Sequence, residues 1–597
     1  MLETIRTVFG HTSFRPLQRE IVTSLLEGKD AFVLMPTGGG KSLCFQLPAL
    51  LLDGLTVVVS PLIALMKDQV DALQAMGVAA TFINSSLDPA EVARRQGAVA
   101  RSALKLLYVA PERLMMPPFL HLLSSVKLAL FAIDEAHCIS EWGHDFRPEY
   151  RELKRLKSLF PGTPRAAFTA TATRRVQADI VEELALQGDR FRGSFNRPNL
   201  FYEVSPKQDS YRQLTNYLRE RGDVSGIIYC LSRDGTERLA ARLAADGFSA
   251  AAYHAGLESE QRQRRQEAFT RDDVRIIVAT IAFGMGIDKP DVRFVIHYDL
   301  PKNLEGYYQE SGRAGRDGDP SDCILFYTYG DAKKLERFIE EKPSPAEREV
   351  GFQQLRQIVD WAQGTTCRRR ALLAYFDETF GGQDGPCCDI CREPPEAVDC
   401  TIPAQMLLSC ARRTGEQYGL VHLIRVLLGS RDERILRAGH DRLSTYGIGR
   451  DRSRAEWHQL AQALLLAGHA RVDPDQFNAV KVTERGEAVL FRGEKVMLAL
   501  ARQAAPPSAT PAAAADQALF DQLRALRKRL ADERGVPPFV IFHDTTLRDM
   551  AERLPANHHQ LRRIPGVGDR KLVDFGDAFL AAIAGHLLQS QPPRPPS

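Results

Sequence analysis

The chain has little that is typical of membrane or secreted proteins. No apolar run in its 597 residues reaches the length of about 20 residues that a membrane-spanning helix needs. The N-terminus also lacks the charged-then-apolar order of a secretory signal. Only ten residues are cysteine, and Cys44, Cys138, Cys230 and Cys323 lie in apolar stretches, which favours buried thiols in a reducing cytosol. These absences predict a cytoplasmic protein that has no membrane partner.

The chain also lacks a strong overall charge. Its 78 Lys and Arg nearly balance its 75 Asp and Glu, and the net charge is only +3. Affinity for a polyanion must therefore come from local basic patches. The hydrophobic fraction of 44% supports sizeable cores, and the length suggests about four domains.

The most informative segment is 134–147. It follows the apolar run 128–133, which is typical of a buried parallel strand. Asp134 and Glu135 at the carboxyl end of that strand are placed to handle a phosphate-bound magnesium and an attacking water. Trp142, Phe146 and Arg147 follow in a polar loop and are suited to gripping unstacked bases. Hydrolysis and base binding within one segment indicate a motor that acts on nucleic acid.

A phosphate-binding loop lies upstream, between the apolar run 31–35 and a helical stretch from residue 43. Its three glycines let backbone N–H groups surround a phosphate at a helix N-terminus, and its lysine supplies charge to the β- and γ-phosphates. The alternative, a plain strand–helix turn, is disfavoured by the Asp134–Glu135 strand that follows in the expected order. Ser42 and Asp134 are the predicted magnesium ligands. The predicted phosphate-binding residues are Thr37, Gly38, Gly39, Gly40, Lys41 and Ser42.

Two later motifs fit the same motor. Thr169 and Thr171 follow a short apolar run, where their hydroxyls would couple phosphate to nucleic acid; the alternative is a capped helix start. Arg313 and Arg316 are three residues apart, which predicts one helical face. A guanidinium beside the γ-phosphate stabilises phosphoryl transfer. A merely solvated basic helix is disfavoured by the glycines among these arginines.

Taken together, these motifs resemble the RecQ family of DNA helicases over nearly the whole chain. The resemblance rests on residues 14–18, 37–42, 134–148 and 309–318. It implies that Arg15 and Gln18 read adenine, that Glu135 orients or deprotonates the water, and that Arg316, with Arg313 beside it, acts as an arginine finger. The further residues implied are Gly286 and Asp288 at the nucleotide, and Trp142, His144, Phe146 and Arg147 at DNA.

The predicted fold class is α/β. It comprises two RecA-like domains, a zinc-binding helical subdomain, a winged helix and a small all-α HRDC domain. The predicted limits are 1–198 and 199–332 for the RecA-like domains, 333–400 for the zinc subdomain, 401–502 for the winged helix, 503–516 for a linker, 517–590 for the HRDC domain and 591–597 for a disordered tail.

Four cysteines predict a zinc site. Cys367, Cys387, Cys388 and Cys391 are a complete tetrahedral set, and the last two have a knuckle spacing. Adjacent cysteines of this kind occur in Werner-type members of the family. The alternatives are a three-ligand or empty site with Cys387 idle, or Cys400 as a substitute ligand. The arginines 368–370 are expected to form either a solvated face or a DNA patch.

The C-terminal third predicts further contacts with DNA. Residues 401–500 hold 15 Lys and Arg against 11 Asp and Glu, and contain a hairpin pattern around 473–478. Phe477 at its tip would stack on the terminal base pair, or fold back onto the hairpin. After the Ala/Pro-rich linker, a helical block ends in a Gly-containing turn at 564–571 that could hold a phosphate.

These observations predict an ATP- and Mg²⁺-dependent DNA helicase with a structural Zn²⁺, and the resemblance to the RecQ family implies 3′–5′ movement and a role in recombination and repair. The alternatives are an ATP-gated DNA clamp that separates no strands, and an RNA helicase. The expected partners are single-stranded, forked or tailed duplex DNA, with a single-stranded-DNA-binding protein as a candidate. The protein is expected to be a monomer in the cytoplasm, associated with the nucleoid.

Overall fold

The fold is taken from a computed structural model. It describes residues 1–10, 12–36, 38–61, 63–85, 87–140, 146–207, 209–284, 289–342, 344–382, 385–473, 479–499 and 517–589. The predicted linker and tail lie outside the described residues.

A seven-stranded parallel sheet forms the first domain. The apolar runs 31–35 and 128–133 contribute two central strands, and the seven strands pair in the order β3-β4-β2-β5-β6-β1-β7, with β3 and β7 at the two edges. β7 has a charged, mostly exposed pattern, so no hydrophobic alternation marks it. The strands are β1 Ala31–Leu34, β2 Leu55–Val59, β3 Ala80–Ile83, β4 Leu106–Val109, β5 Leu128–Ile133, β6 Arg165–Thr169 and β7 Asp189–Arg192.

A six-stranded parallel sheet forms the second domain, in the order β10-β11-β9-β12-β13-β8. Its strands are β8 Leu200–Pro206, β9 Ser225–Tyr229, β10 Ala250–Tyr253, β11 Ile276–Ala279, β12 Val292–His297 and β13 Ser321–Tyr327. Buried aliphatic residues fill nearly every central strand, as expected for parallel sheets covered on both faces.

Helices connect the strands and cover the two sheets. In the first domain they are Leu2–Thr4, Ile5–Phe9 (π), Gln18–Leu26, Lys41–Leu51, Ile63–Ala75, Pro89–Ala100, Pro111–Leu114, Pro117–Ser124, Ala136–Ile139 (3₁₀), Pro148–Arg151, Glu152–Arg155 (3₁₀), Leu156–Leu159 and Arg174–Glu183. In the second they are Ser210–Arg221, Arg233–Ala245, Ser259–Thr270 and Leu304–Ser311.

Three smaller units follow. The zinc-site unit has helices Tyr329–Glu340, Pro345–Gln363, Arg368–Tyr375 and Asp389–Arg392. The next has helices Thr401–Arg413, Leu420–Leu427, Glu433–Arg437, His440–Arg442 (3₁₀), Arg454–Leu466 and Glu484–Phe491, the strand pair β14 Ala397–Asp399 and β17 Met497–Ala499, and the hairpin β15 Ala470–Asp473 and β16 Ala479–Val482. The last has helices Gln517–Arg534, Pro538–Ile541, Asp544–Arg553, His558–Leu561 and Asp569–Gln589.

The helix Asp569–Gln589 corrects one expectation. Among the described residues it is the one helix long and apolar enough to cross a membrane by length and composition, although no such stretch was expected. Its residues Phe575, Phe579 and Ile583 are buried in the core of the last helical unit. A core helix of this kind passes the same length and composition test.

Candidate nucleotide, nucleic-acid and zinc sites

The phosphate-binding loop joins β1 to the helix Lys41–Leu51. Gly38 and Gly40 have left-handed backbones, with φ of +80° and +82°. A Cβ on Gly40 would clash with the amide nitrogen of Gln18, so this position requires glycine for both backbone angle and space. Thr37 lies outside the described residues.

The two predicted adenine-reading residues are tied to this loop. Gln18 is buried, and its Nε2 donates to the Gly40 carbonyl over 3.1 Å. Its Oε1 accepts from the Arg15 backbone N–H over 2.8 Å, while the Arg15 guanidinium donates to the Gly38 carbonyl. The segments predicted to read the base and to bind phosphate are therefore held as one unit.

Asp134 and Glu135 lie directly after β5, two strands away from β1 in the sheet. Burial and the neighbouring Glu135 charge raise the pKa of Asp134 to about 7, while Lys41 acts in the opposite direction. Glu135 has a left-handed backbone with φ of +49°, and the 3₁₀ helix Ala136–Ile139 starts immediately after it. A bound divalent cation would favour the ionised form of Asp134.

A chain of polar contacts runs from Glu135 to the carboxyl end of β6. His137 Nδ1 lies 3.3 Å from Glu135 Oε2 and 3.0 Å from Thr169 Oγ1. Thr169 Oγ1 in turn donates to the Thr171 carbonyl over 3.1 Å. Both threonines are buried, and the next helix begins only at Arg174. The alternative of a capped helix start at these threonines was wrong, because the N-cap of that helix is Thr173 and no side chain caps it.

The two predicted finger arginines do not lie on a helical face, which corrects the expectation. The helix ends at Ser311, and Gly315 and Gly318 continue the chain as turns with φ of +55° and +96°. Glycine in these turns prevents the helix from continuing. A Cβ on Gly38 would nevertheless stand 3.6 Å from the Arg316 Cα, so the turn lies against the phosphate loop.

A single cavity of about 1030 Å³ unites the groups from both sheets. Gly286 and Asp288, also assigned to this site, lie outside the described residues. The predicted residues that line the cavity are Arg15, Gln18, Gly38, Gly40, Lys41, Ser42, Asp134, Glu135, Arg313 and Arg316.

Arg197 was not predicted as a site residue, because residues 196–199 lie at the predicted limit between the two RecA-like domains. Its buried guanidinium donates to the carbonyls of Gly312, Ala314 and Gly315 over 3.2, 3.0 and 2.8 Å. Asn199 adds a bond to the Gly315 carbonyl over 2.9 Å. Arg197 therefore positions the turn that carries Arg313 and Arg316, and the only sequence signal was the polar Asn-Arg-Pro-Asn string itself.

We expect Arg197→Ala to reduce ATP turnover by about 10- to 100-fold, because the arginine turn loses its charged hydrogen bonds. Steady-state hydrolysis by the full chain measures this, with Arg190→Ala as the matched control since Arg190 is exposed on β7. A folded Arg197→Ala protein with wild-type turnover would contradict the positioning role.

Of the loop predicted to grip bases, the structure describes Phe146 and Arg147 at its C-terminal end. The Arg147 backbone N–H donates to the Cys138 carbonyl over 2.9 Å, and its guanidinium donates to the Pro61 carbonyl over 3.3 Å. The Arg151 guanidinium stands 5.1 Å from the centre of the Phe146 ring. Trp142 and His144 lie outside the described residues, as does Phe477 at the tip of the β15–β16 hairpin. The DNA contacts assigned to these side chains remain predictions.

The four predicted zinc ligands come together. Their sulfurs all lie within 4.8 Å of one another, with separations of 3.5 Å for Cys367–Cys387, 3.9 Å for Cys367–Cys388 and 4.0 Å for Cys387–Cys391. Four thiolates about 2.3 Å from a tetrahedral zinc would be about 3.8 Å apart, so the set fits the metal. Backbone N–H groups of Arg368 and Cys391 donate to Cys388 Sγ, each over 3.4 Å, as in a metal-binding knuckle. Cys400 instead packs in the core of the next unit.

Arg368 and Arg369 form neither the solvated face nor the DNA patch that was expected for residues 368–370. Arg368 is buried and bonds the Asp389 carboxylate and the Trp361 carbonyl over 3.1 and 2.6 Å. Arg369 is buried and donates to the Leu200 carbonyl over 2.8 Å. Arg368 therefore braces the zinc site from within its own unit, Arg369 joins that unit to the second domain, and only Arg370 of the three is exposed.

Comparison with known proteins agrees with this layout. Family models match in succession as DEAD/DEAH box helicase (15–180), helicase conserved C-terminal domain (209–318), RecQ zinc-binding (329–392), RQC domain (394–506) and HRDC domain (516–583). A Haemophilus influenzae protein named ATP-dependent DNA helicase RecQ is 44% identical over 595 residues, covering 98% of this chain and 96% of that protein. The chain belongs to the RecQ family of ATP-dependent DNA helicases. The Bacillus subtilis protein of the same name is 40% identical, with 97% of each chain covered.

Family membership confirms the resemblance and the predicted fold class. A Xenopus laevis protein named RecQ-like DNA helicase BLM is 36% identical over 96% of this chain and 46% of its own length. The matched helicase and zinc-binding models confirm ATP with Mg²⁺ and Zn²⁺ as the cofactors of this RecQ-family enzyme. The last helical unit is the HRDC domain.

Proposed function

We propose that this RecQ-family protein couples ATP hydrolysis to 3′–5′ translocation on single-stranded DNA and so separates duplexes during recombination and repair. The observation that carries the proposal is the shared cavity. Lys41 and Glu135 of the first domain face the same space as Arg313 and Arg316 of the second. Because both domains supply groups to one nucleotide, hydrolysis changes how the domains are held together.

The chemistry follows from the residues that line the cavity. Lys41 and the phosphate-loop N–H groups bind the phosphates, while Arg316, with Arg313 beside it, neutralises charge that develops on the γ-phosphoryl group. Ser42 and Asp134 would hold Mg²⁺, which would supply positive charge to the phosphates. Glu135 orients the attacking water or accepts its proton.

Coupling to DNA is proposed to run along the contacts from Glu135 through His137 to Thr169. These distances of 3.3 and 3.0 Å make the water-handling carboxylate sensitive to movement of the β6 end. The segment that carries Trp142, His144, Phe146 and Arg147 begins a few residues after His137. DNA in that loop would therefore reach the hydrolytic residue through a short path.

DNA is the proposed substrate, as single strands and as forked or tailed duplexes. The hairpin of β15 and β16 has the pairing Asp473 with Ala479, and it would present Phe477 as a wedge. A candidate partner is a single-stranded-DNA-binding protein, and we propose a monomer in the cytoplasm on the nucleoid. The domain limits given from the sequence are proposed as working boundaries.

Strand separation on tailed duplexes tests the proposal. A fluorescent duplex with a 3′ single-stranded tail should be unwound in the presence of ATP and Mg²⁺, and a matched 5′-tailed duplex should not. An RNA duplex with the same tail is the control for the RNA-helicase alternative. DNA-stimulated hydrolysis without separation of either DNA duplex would favour the clamp.

A further inference from the structure

The HRDC domain is docked on the second RecA-like domain through charged side chains. Lys528 Nζ lies 2.7 Å from Asp273 Oδ1 and also donates to the Arg271 carbonyl over 3.1 Å. Arg548 Nε donates to Asp319 Oδ2 over 2.9 Å. Arg524 adds a bond to the Asp223 carbonyl over 2.8 Å. The contact with Asp319 places the HRDC domain beside the turn that carries Arg313 and Arg316.

The interface between the HRDC domain and the second RecA-like domain also contains buried charged side chains. Arg527 of the HRDC domain is fully buried, and its Nη1 lies 2.8 Å from Asp544 Oδ1. Its Nη2 lies 4.0 Å from Asp272 Oδ2 of the second domain, and Asp272 also binds the buried Lys289 over 2.5 Å. Arginine and aspartate removed from water across a domain boundary indicate a defined docked arrangement, because a buried charge without a partner is costly.

The other edge of the HRDC domain reaches the first RecA-like domain. A Cβ on Gly568 would stand 3.6 Å from the Gly10 Cα, in ordinary contact. Gly10 ends the helix Ile5–Phe9, shortly before the predicted adenine-reading Arg15. The HRDC domain therefore spans the cleft, touching a different RecA-like domain on each side.

HRDC residues also line the nucleotide cavity itself. Arg570 and Lys571 lie on its wall together with Phe539 and His543, in the same space as Lys41 and Gln18. The HRDC residues on this wall include three basic side chains, Arg534, Arg570 and Lys571, against the two carboxylates of Asp569 and Asp574. This excess of positive charge complements a nucleotide polyphosphate. The Lys571 ammonium stands 5.7 Å from the ring of the buried Phe542, and burial lowers the pKa of Lys571 to about 8.

We propose that the HRDC domain is a nucleotide-retaining cover, forming the outer wall of the cleft and slowing the release of bound ADP. The proposal rests on the nucleotide site described above. The ion pairs Lys528–Asp273 and Arg548–Asp319 are partly exposed and therefore individually weak, so the cover can loosen at these two contacts. Opening lets nucleotide leave, and docking retains it.

A charge swap tests the cover in the full-length chain. Lys528→Glu and Asp273→Lys each place like charges opposite one another, and the double variant restores an ion pair in reverse order. Release of a fluorescent ADP analogue is followed by stopped flow without DNA. Each single variant should release the analogue about twofold to fivefold faster than wild type, and the double variant should return toward the wild-type rate.

Two further variants complete the experiment. Arg553→Glu is the matched control, because Arg553 pairs with Asp549 in its own helix and should leave release unchanged. Arg548→Glu is a second undocking variant should Lys528→Glu fold poorly. Unchanged release in the folded undocking variants, or a double variant that stays fast, would overturn the cover. Failure to separate DNA strands would refute the proposed function and leave this result standing, since nucleotide release is measured alone.

Discussion

Lys41→Ala is expected to reduce ATP hydrolysis by at least about 100-fold and to abolish unwinding, while DNA binding stays close to wild type. Lys41 begins the helix after the phosphate loop and faces the same cavity as Glu135 and Arg316. Its ammonium supplies charge that the loop N–H groups cannot replace. The predicted DNA contacts lie elsewhere, in the 140–148 loop and the winged helix, so affinity for DNA should not depend on this side chain.

Steady-state ATPase with and without single-stranded DNA, and DNA binding by fluorescence anisotropy, measure the two effects separately. Lys127→Ala is the matched control. Lys127 precedes the amino end of β5 and pairs with Asp53 on the surface, whereas Asp134 follows the carboxyl end of the same strand. Substantial DNA-stimulated hydrolysis by Lys41→Ala would refute the assignment of the nucleotide site.

Cys388→Ser is expected to remove zinc and to leave little folded protein. Structural zinc contributes about 10–16 kcal/mol of binding free energy that is also folding free energy, which is comparable to or larger than the stability of a typical domain. Cys388 Sγ is buried and accepts two backbone N–H groups, so replacing it removes a ligand and disturbs both bonds. The surrounding unit also carries Arg368, which bonds Asp389 and the Trp361 carbonyl within the unit, and Arg369, which joins the unit to the second domain.

Metal analysis and thermal unfolding of purified protein provide the measurements. Wild type should hold about one zinc per chain, and Cys388→Ser far less, with a lower unfolding temperature. Cys400→Ser is the control, since Cys400 packs in the winged-helix core and should keep the zinc. The ligand set would be wrong if Cys387→Ser retained full zinc and stability while Cys400→Ser lost them.

Local motifs were sufficient to predict the chemistry. The glycines before Lys41 predicted a phosphate loop because they let backbone N–H groups surround a phosphate. In the structure, Gly38 and Gly40 have left-handed backbones that favour glycine. Continuous apolar runs identified the central strands, since parallel strands are buried on both faces. Cysteine spacing predicted the zinc site for a similar reason, because tetrahedral ligation limits how the four thiols can be arranged along the chain.

What depends on contacts distant in sequence could not be predicted in this way. Arg197 and the turn it holds are 115 to 118 residues apart, and Arg368 is buried only because the Asp389 carboxylate and nearby carbonyls surround it. The sequence of an arginine run does not show whether its guanidinium groups donate hydrogen bonds to water or to buried protein carbonyls. The sequence by itself determined the nucleotide loop, the acidic strand end and the zinc thiols, each a local group with its own geometric requirement. Only the tertiary structure decided which arginines face the cleft, which brace the fold, and that the HRDC domain spans the nucleotide cavity, because each depends on surfaces that folding brings together.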